Sequence, residues 1–512
     1  MSWEIVIGLE VHAELSTKSK IFCACTTAYG GEPNTHVCPV CAGMPGVLPV
    51  LNREVVEYAL RLGLALNCDI TRQCKFDRKN YFYPDLPKAY QVSQLYAPIC
   101  TNGFLEIDVD GAGNPDAKKK IRIREIHMEE DAGKLNHGAQ GSLMDFNRCG
   151  VPLLEIVTHP DFVSGSASNA AVQVIAYLEK LRETLLYLNI CDCKMQEGSM
   201  RTDINLSVRR SGEELGTRTE TKNMNSFKAI GRAIDYEINR QIDILEDGGK
   251  IEQETRRWDD EKGTSSGMRS KENAQDYRYF PDPDLLPMHI DDEWIACVKE
   301  SLPELAYQKR ERYIRDYKIS ADEASVLTCH KNISSLFETL TQKCAVINPA
   351  LKVNLAVEAA HLVNGEIMRL MNSANMLPED LIIEAENDSQ PNDSQKREGS
   401  RLDADKLATL IGFVTSGKIN RASFKETVEA VFTSNVDPES YIAQKGLMMV
   451  SDDKAIAEAV EKVMAANEDS VADYRAGKEK VFGFLMGMVM KELGKGGNPE
   501  LVKKVLQEKL NR

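Results

Sequence analysis

Residues 4–15 read EIVIGLEVHAEL, and the alternation within this stretch decides how the chain begins to fold. In an extended strand successive side chains point to opposite faces, so Leu9 and Val11 fall on one face while Glu10 and His12 fall on the other. We therefore predict a β-strand with one face in an apolar core. Its other face carries carboxylates and an imidazole, which is unusual for a strand.

Short alternating segments of the same kind continue to about residue 292, broken by Gly, Pro and Asn, as is typical of an antiparallel sheet. Two amphipathic stretches, residues 53–67 and 166–188, interrupt them and predict helices. The mixture predicts an α+β domain over residues 1–292.

The remainder of the chain has a helical pattern, which predicts an all-α helical domain at 293–445 and a small helical tail at 446–512. Within it, residues 387–400 are polar and of low complexity and predict a surface loop. From residue 475 onward the chain contains nine Lys or Arg and four Glu, although the net charge of the whole chain is −15. This basic tail indicates either an anionic partner or a solvated helix face.

Length and composition are those of a globular protein of two to four domains at about 150 residues each, with 512 residues, 42% hydrophobic and 28% charged. No apolar run approaches the roughly 20 residues of a membrane span, and the first residues lack the features of a signal peptide. We therefore expect a cytoplasmic protein in a reducing compartment, without a membrane partner. The negative net charge argues against a uniformly basic surface that coats nucleic acid.

Four of the thirteen cysteines have the spacing of metal ligands. Cys23 and Cys25 form one pair, Cys38 and Cys41 form a second, and twelve residues separate the pairs. Four thiolates suit a tetrahedral Zn²⁺ site without an open position, which is structural rather than catalytic. The alternatives are four thiols without metal and a redox C-x-x-C, although no βαβ pattern surrounds the second pair.

Acidic residues recur at several predicted strands. Besides Glu10 and His12, three consecutive acids at 129–131 end one strand, and the strands at 197–205 and 219–226 carry more. Oxygen ligands with one imidazole suit Mg²⁺, which commonly bridges nucleotide phosphates. The alternative is a set of solvated strand positions.

Other candidate motifs are weaker. Residues 412–419 nearly match a phosphate loop, but Ile419 stands where a hydroxyl is needed and the setting is helical. Residues 263–271 faintly resemble the serine-rich signature of amidases, and we predict a loop there. The segments 75–91 and 276–287 interleave aromatic and basic residues, which suits either a nucleotide base or an acceptor end, or packing at a sheet edge.

A family resemblance covers essentially the whole chain. The matching segments are GLEVHAEL, KFDRKNYFYPDLPKAYQ, HMEEDAGK, DFNRCGVPLLEIV, EGSMRTDIN, ETKNMNSF, QETRRWD and DYRYFPDPDLLP. In order and spacing they resemble the B subunit of glutamyl-tRNA(Gln)/aspartyl-tRNA(Asn) amidotransferase. The resemblance implies a cradle domain with a zinc knuckle, then a helical domain and a tRNA-binding tail.

The same resemblance implies a ligase. The expected reaction is ATP-dependent phosphorylation of the side-chain carboxylate of mischarged Glu-tRNA(Gln) or Asp-tRNA(Asn), followed by amidation. The ammonia would come through a channel from a glutaminase A subunit, and a small C subunit would complete a heterotrimer. The expected cofactors are ATP, Mg²⁺ and structural Zn²⁺.

The resemblance also implies roles for individual residues. The Mg²⁺ site falls on His12 and Glu130, with Glu10, Asp203 and Glu220 as further or water-mediated ligands. Lys79 and Glu129 resemble residues of the channel or of the active-site mouth. The sequence departs from the family pattern at Gln196, where an acid is frequent, and in an insertion at 111–120.

Two other functions fit parts of the sequence. One is a zinc-containing tRNA-binding adaptor in which the Glu and His residues are inert. The other is an independent amidase, for which the sequence lacks the serine–lysine machinery.

Overall fold

The computed structural model describes residues 2–109, 118–138, 141–270, 277–347, 352–384, 401–449, 453–476, 478, 480–493 and 499–511. The chain divides into two compact units, Met1–Leu305 and Ala306–Arg512. The three-part division at residues 292 and 445 stays a prediction. The low-complexity segment at 387–400 and most of the insertion at 111–120 lie outside the described residues.

The first unit contains seventeen strands and four helices within the described residues. The strands are β1 (Trp3–Glu14), β2 (Asp69–Ile70), β3 (Gln73–Cys74), β4 (Asp77–Asn80), β5 (Tyr90–Ser93), β6 (Cys100–Asp108), β7 (Lys118–Glu130), β8 (Lys134–Gly138), β9 (Gly141–Asp145), β10 (Pro152–Thr158), β11 (Phe162–Ser164), β12 (Met200–Arg210), β13 (Thr219–Lys222), β14 (Glu254–Asp259), β15 (Thr264–Ser270), β16 (Phe280–Pro281) and β17 (Met288–His289). The helices are α1 (Arg53–Ala65), α2 (Ala167–Tyr187), α3 (Phe227–Glu246) and α4 (Asp292–Glu300).

Ten of these strands form one sheet in the order β15-β14-β13-β12-β1-β10-β7-β6-β2, with β11 paired to one end of β1. Every neighbouring pair in the sheet is antiparallel except β13 and β14, which run parallel. The predicted α+β class with an antiparallel sheet is thereby confirmed. The first strand of the chain lies in the interior of the sheet and pairs on both sides.

The apolar face of the sheet packs against helices. Leu9 and Val11 of β1 are buried there, and α1, α2 and α3 contact strands of this sheet. In α2, Tyr177 packs edge-on against Phe162, with ring centroids 5.4 Å apart. Each such buried apolar side chain contributes about 1.5–3 kcal/mol to the stability of the unit.

Two helices of the first unit follow the prediction and one does not. α1 and α2 form where amphipathic stretches predict them, each after a polar cap: Asn52 accepts from the Glu54 amide and Ser166 from the Asn169 amide. The sequence reasoning missed α3, although Ser226 caps it in the same way. The stretch at 263–271, predicted as a loop, is wrong in the described part: Thr264–Ser270 pairs with β14 as an edge strand.

The second unit is mainly helical. Its described elements are α5 (Ala306–Arg312), α6 (Ala321–Leu327), α7 (Lys331–Ile347), α8 (Lys352–His361), α9 (Met368–Ser373), β18 (Ile382–Glu384), β19 (Arg401–Asp403), α10 (Ala404–Thr415), α11 (Arg421–Ser434), α12 (Pro438–Lys445), α13 (Asp453–Ala466), α14 (Glu468–Arg475), α15 (Val481–Glu492) and α16 (Pro499–Leu510). Two π-helical turns, Tyr313–Tyr317 and Leu362–Ile367, follow α5 and α8. The short pair β18–β19 corrects the expectation of an all-α region.

The helices of the second unit surround two separate apolar clusters. One cluster runs from Tyr313 to Leu447 and the other from Ile456 to Leu510. Among the helices of the described ranges, none combines the length and the apolarity that a membrane span requires.

Half-buried Glu338 accepts several ionic hydrogen bonds in the second unit, one of them from Arg312. Lys309 Nζ donates to its Oε2 at 2.6 Å and the Tyr313 hydroxyl donates to its Oε1 at 2.9 Å, while Arg312 also bonds Oε1. Burial alone would raise the pKa of Glu338, but Lys309 and the other donors lower it below its usual value.

We predict that Glu338→Gln lowers the free energy of unfolding by about 1.5–3 kcal/mol at pH 7, the value of hydrogen bonds to a charged group. Because the folded pKa is depressed, this stability is complete above the unfolded pKa near 4.3 and is lost as the pH falls through the folded value. Urea unfolding followed by helical circular dichroism at pH 7 and at about pH 3, below the unfolded pKa, measures the difference. The exposed Glu439→Gln is the matched control, and an equal loss in both variants would contradict the prediction.

Candidate active site and metal centres

The polar face of the sheet gathers charged side chains from neighbouring strands. Glu10 on β1 lies directly opposite Asp203 on β12, and His12 lies opposite Glu155 on β10. Glu155 in turn lies opposite His127 on β7. Residues opposite one another in an antiparallel pair share a face, so all of these side chains project from the same side of the sheet.

His12, His127, Glu129 and Glu155 form one group, the histidine cluster. His12 Nε2 lies 3.5 Å from Glu155 Oε2 and 3.7 Å from Glu129 Oε1. His127 Nε2 lies 3.0 Å and 3.7 Å from the same two oxygens. The ligand atoms of His12, Glu129 and Glu155 all lie within 4.8 Å of one another, close enough to hold one metal ion.

The two carboxylates of the histidine cluster favour positive charge beside them. Burial alone would lower the pKa of His127, but Glu155 and Glu129 outweigh it and raise that pKa to about 10. The pKa of His12 is raised in the same way, chiefly by Glu155 against its own burial. Two buried carboxylates repel each other unless a proton or a cation lies between them.

Glu129 provides a direct test of whether the histidine cluster fits a metal. Its side chain is almost fully buried, and Gln91 Nε2 donates to Oε2 at 2.7 Å. Within the described part of the chain, its Oε1 has no hydrogen-bond partner. A buried carboxylate oxygen without a partner is costly, and a divalent cation between Glu129, Glu155 and His12 would satisfy it. The donor set of two oxygens and one imidazole fits Mg²⁺ or Mn²⁺.

Glu10, Asp203 and Glu220 form a second group, the acid cluster, whose oxygens also lie within 4.8 Å of one another. Lys222 Nζ lies 3.2 Å from Glu220 Oε1 and donates to Asp203 Oδ2, and Asn205 donates to Glu10 Oε1 at 3.0 Å. Burial, and then the neighbouring carboxylates, raise the pKa of Glu10. Lys222 therefore offsets only part of the negative charge of three acids.

Glu130 does not join either cluster, which corrects its predicted place beside His12. Alternation along β7 puts Glu129 on the polar face and Glu130 on the opposite face. There Glu130 forms an ion pair with Lys88 and its Oε1 accepts from the Val92 amide at 2.9 Å. Lys79 lies near the histidine cluster. Burial alone would lower the pKa of Lys79, but the charge of Glu129 outweighs that effect and raises it.

Two residues of the histidine cluster escaped the sequence reasoning. Glu155 lies in PLLEIVT and His127 in REIHMEE, so both sit in alternating strands. Alternation assigned each to one of two faces, but only the pairing of β10 between β1 and β7 brings them to His12. Pairing between strands so far apart in the chain has no local signal in a single sequence.

A cavity of about 940 Å³ opens above part of the polar face. His12, Asp203 and Lys222 contribute to its lining, together with Glu14 and Arg201. Burial, and then the adjacent carboxylate of Asp131, raise the pKa of Glu14 to about 8. A smaller cavity of about 240 Å³ adjoins Glu10 nearer the start of β1, beside Val6 and Gly8.

The aromatic and basic residues of the segment 75–91 differ in their contacts and exposure. Arg78 donates to Asp282 and Asp284 at 2.8 and 2.6 Å, and its guanidinium lies 4.3 Å from the centroid of the Tyr90 ring. These contacts are packing within the small sheet β16-β4-β5, in which β4 is the central strand and not an edge. Phe82, by contrast, is 89% exposed.

The four cysteines come together as their spacing predicts. The sulfurs of Cys23, Cys25, Cys38 and Cys41 lie within 4.8 Å of one another. Buried Lys20 lies 3.6 Å from Cys41 Sγ and donates to the His36 carbonyl at 2.8 Å. A thiol of Cys23 that donates to Cys41 lowers the pKa of Cys41 to about 4. Metal binding requires cysteines as thiolates, so an acidic Cys41 thiol near the Lys20 ammonium fits a tetrahedral site for Zn²⁺.

Comparison with known proteins agrees with this architecture. A family model described as the GatB/GatE catalytic domain matches residues 5–296, and one described as the GatB domain matches residues 347–510. The chain belongs to the GatB/GatE family. The catalytic domain identifies an enzyme component, and the predicted membership is confirmed.

Relatives match this GatB/GatE chain over its full length. The B subunit of the aspartyl/glutamyl-tRNA(Asn/Gln) amidotransferase of Lachnoclostridium phytofermentans is 53% identical over 513 residues, which cover 100% of this chain and 99% of the relative. The proteins of the same name from Caldicellulosiruptor bescii and Caldicellulosiruptor saccharolyticus are each 50% identical over 515 residues and 100% of both chains.

The opposite orientations of Glu129 and Glu130 generate a prediction for metal binding. We expect Glu129→Gln to weaken Mn²⁺ binding at least about tenfold, because it removes one carboxylate ligand. Glu130→Gln should bind Mn²⁺ like the unaltered protein. Electron paramagnetic resonance titration with Mn²⁺ measures both constants. Weaker binding in Glu130→Gln alone would contradict the geometry.

Proposed function

We propose that this chain activates the side-chain carboxylate of Glu or Asp on a mischarged tRNA by ATP-dependent phosphorylation. Ammonia then replaces the phosphate, which gives Gln-tRNA(Gln) or Asn-tRNA(Asn). The names of the relatives support the class of substrate. The observation that carries the proposal is the histidine cluster beside the acid cluster on one sheet face, next to a cavity wide enough for a substrate.

The chemistry explains why such a site needs a metal and several acids. A carboxylate is a poor electrophile because oxide is a poor leaving group, and phosphorylation converts that oxygen into a good one. Mg²⁺ supplies charge stabilisation for phosphoryl transfer when it is bound. His12, Glu129 and Glu155 would hold one ion, and Glu10, Asp203 and Glu220 are the adjacent acids available for a second ion or its waters.

The smaller cavity is the best candidate for the nucleotide. It adjoins Glu10 and Asn205, and the side chains of Arg124 and Arg218 line it. Two guanidiniums beside a carboxylate cluster suit a phosphate chain whose metal lies on the acids.

Ammonia must reach the acyl phosphate without water, which implies a protected route from a partner. Half-buried Lys79, whose pKa Glu129 raises, remains our candidate for that route, and buried Glu130 on the far side of β7 is a second candidate. The proposed partners are a glutaminase A subunit and a small C subunit. The basic tail from residue 475 would contact the tRNA backbone through phosphate charge.

We predict that His12→Ala in the assembled complex lowers ATP-dependent amidation of mischarged tRNA at least about 100-fold, because a metal ligand is lost. Glutamine hydrolysis should continue. His361→Ala, an exposed histidine of the second unit, is the matched control and should retain amidation. Thin-layer analysis of the labelled aminoacyl group measures the product. Normal amidation by His12→Ala would favour an adaptor in which these residues are inert.

We also propose that the cysteine quartet holds a structural Zn²⁺. Purified protein should contain about one zinc per chain, as four thiolates close one tetrahedral site. Cys38→Ser with Cys41→Ser should remove most of it, whereas Cys297→Ser, an exposed cysteine elsewhere, should not. Inductively coupled plasma mass spectrometry measures the content. Full zinc content in the double variant would contradict the assignment.

A further inference from the structure

The chain between the two cysteine pairs does more than connect them. Residues 27–31 of this linker, which we call the knuckle loop, line the large cavity that His12 also lines. The loop that the two cysteine pairs bracket therefore forms part of the cavity wall. This position raises the question of what the knuckle loop contributes to a bound substrate.

The linker is held at both ends and from one side. Cys25 precedes it and Cys38 follows it, so a metal in the quartet would close it into a ring. The backbone N–H of Asn34 donates to Asp145 Oδ1 at 3.1 Å, and Asn34 Oδ1 accepts from the backbone N–H of Phe146 at 2.8 Å. Asn147 Nδ2 donates to the Glu32 carbonyl at 2.7 Å. These bonds fix the linker against the end of β9.

Tyr29 is the exposed aromatic residue of the knuckle loop. Its side chain is 71% exposed, and within the described part of the chain it forms no hydrogen bond or ring contact. The next two residues are glycines with a structural reason: Gly30 has a φ of +81°, and a Cβ on Gly31 would lie 2.4 Å from the His36 ring. The backbone turns sharply there, which leaves the Tyr29 ring at the cavity.

We propose that Tyr29 is a stacking platform for the 3′-terminal adenine of the aminoacyl-tRNA, and that metal in the cysteine quartet holds this platform in place. The inference rests on the proposed function. An exposed aromatic ring stacks well on an unpaired base. Lys134, exposed on β8 and lining the same cavity, lies opposite Asp145 and can meet the phosphate of that nucleotide.

The arrangement of the cavity gives the nucleotide a direction. His12 lies on the sheet and Tyr29 lies in the linker outside the sheet, yet both line one cavity. An aminoacyl group attached to the terminal ribose can then extend toward the histidine cluster while the base stays with Tyr29. The adenine of ATP has its own candidate place in the smaller cavity, so the two bases do not compete.

Binding of uncharged tRNA, with and without its 3′-terminal adenosine, tests the platform independently of amidation. In the complete heterotrimer we expect removal of that adenosine to weaken binding about 5- to 100-fold, the range for one stacked base. In Tyr29→Ala the same removal should change binding less than about twofold. Tyr29→Phe should restore the full effect because the ring is kept. Fluorescence anisotropy measures all the constants, and an equal loss in Tyr29→Ala and the unaltered protein would overturn the inference.

Steady-state kinetics give the second readout. Tyr29→Ala should raise the KM for mischarged tRNA about 5- to 100-fold, with the KM for ATP and the zinc content unchanged. A rise in the KM for ATP instead would assign the ring to the other nucleotide and overturn the inference. Chelation of the zinc should remove the effect of the terminal adenosine on tRNA binding, and an effect that survives chelation would overturn the role of the metal. If the platform fails while the unaltered complex still amidates tRNA, the proposed function stands.

Discussion

The strand β1 lies inside a ten-stranded sheet, and its side chains point alternately to the two faces of that sheet. One face can therefore be apolar only if the polar side chains of the strand all lie on the other face. Leu9 and Val11 pack beneath the helices on the first face. Glu10 and His12 meet Asp203 and Glu155 on the second because the neighbouring strands obey the same alternation in register. A shift of one residue would exchange the two faces. The core and the candidate site therefore depend on a single register.

Placing these charged side chains together on the polar face lowers the stability of the fold, so folding alone does not explain their presence. In the histidine cluster the carboxylates of buried Glu129 and half-buried Glu155 are balanced only when the imidazoles are protonated or a cation binds. In the acid cluster Lys222 faces three acids. Buried charges stabilise a fold weakly at best, and apolar residues of similar volume often serve as well. The clusters are therefore better explained by an interaction with cations and phosphates than by stability.

Much of this was accessible from the sequence, and the limits have physical causes. The period of two in residues 4–15 predicted the strand and its polar face, and spacing predicted the cysteine quartet. The choice of Glu130 over Glu129 was wrong because HMEED offers adjacent acids, and only the phase of β7 against β10 decides which one reaches His12. Glu155 was missed because its role depends on strand order. The helix α3 had both a cap and an apolar repeat, so its omission was avoidable.

The cysteine quartet and the two clusters on the sheet offer different ligands and suit different roles. Thiolates from a short linker close a site completely, and such a site can fix a loop but cannot exchange ligands with a substrate. Carboxylates and an imidazole on a broad sheet would hold a cation from one side only, and Mg²⁺ commonly takes its remaining ligands from water and phosphate oxygens. The knuckle loop joins the two because it lies between the cysteine pairs and lines the same cavity. If both sites hold metal as proposed, a fixed loop at the cavity rim and open coordination positions on the sheet would together position the acceptor end of a tRNA.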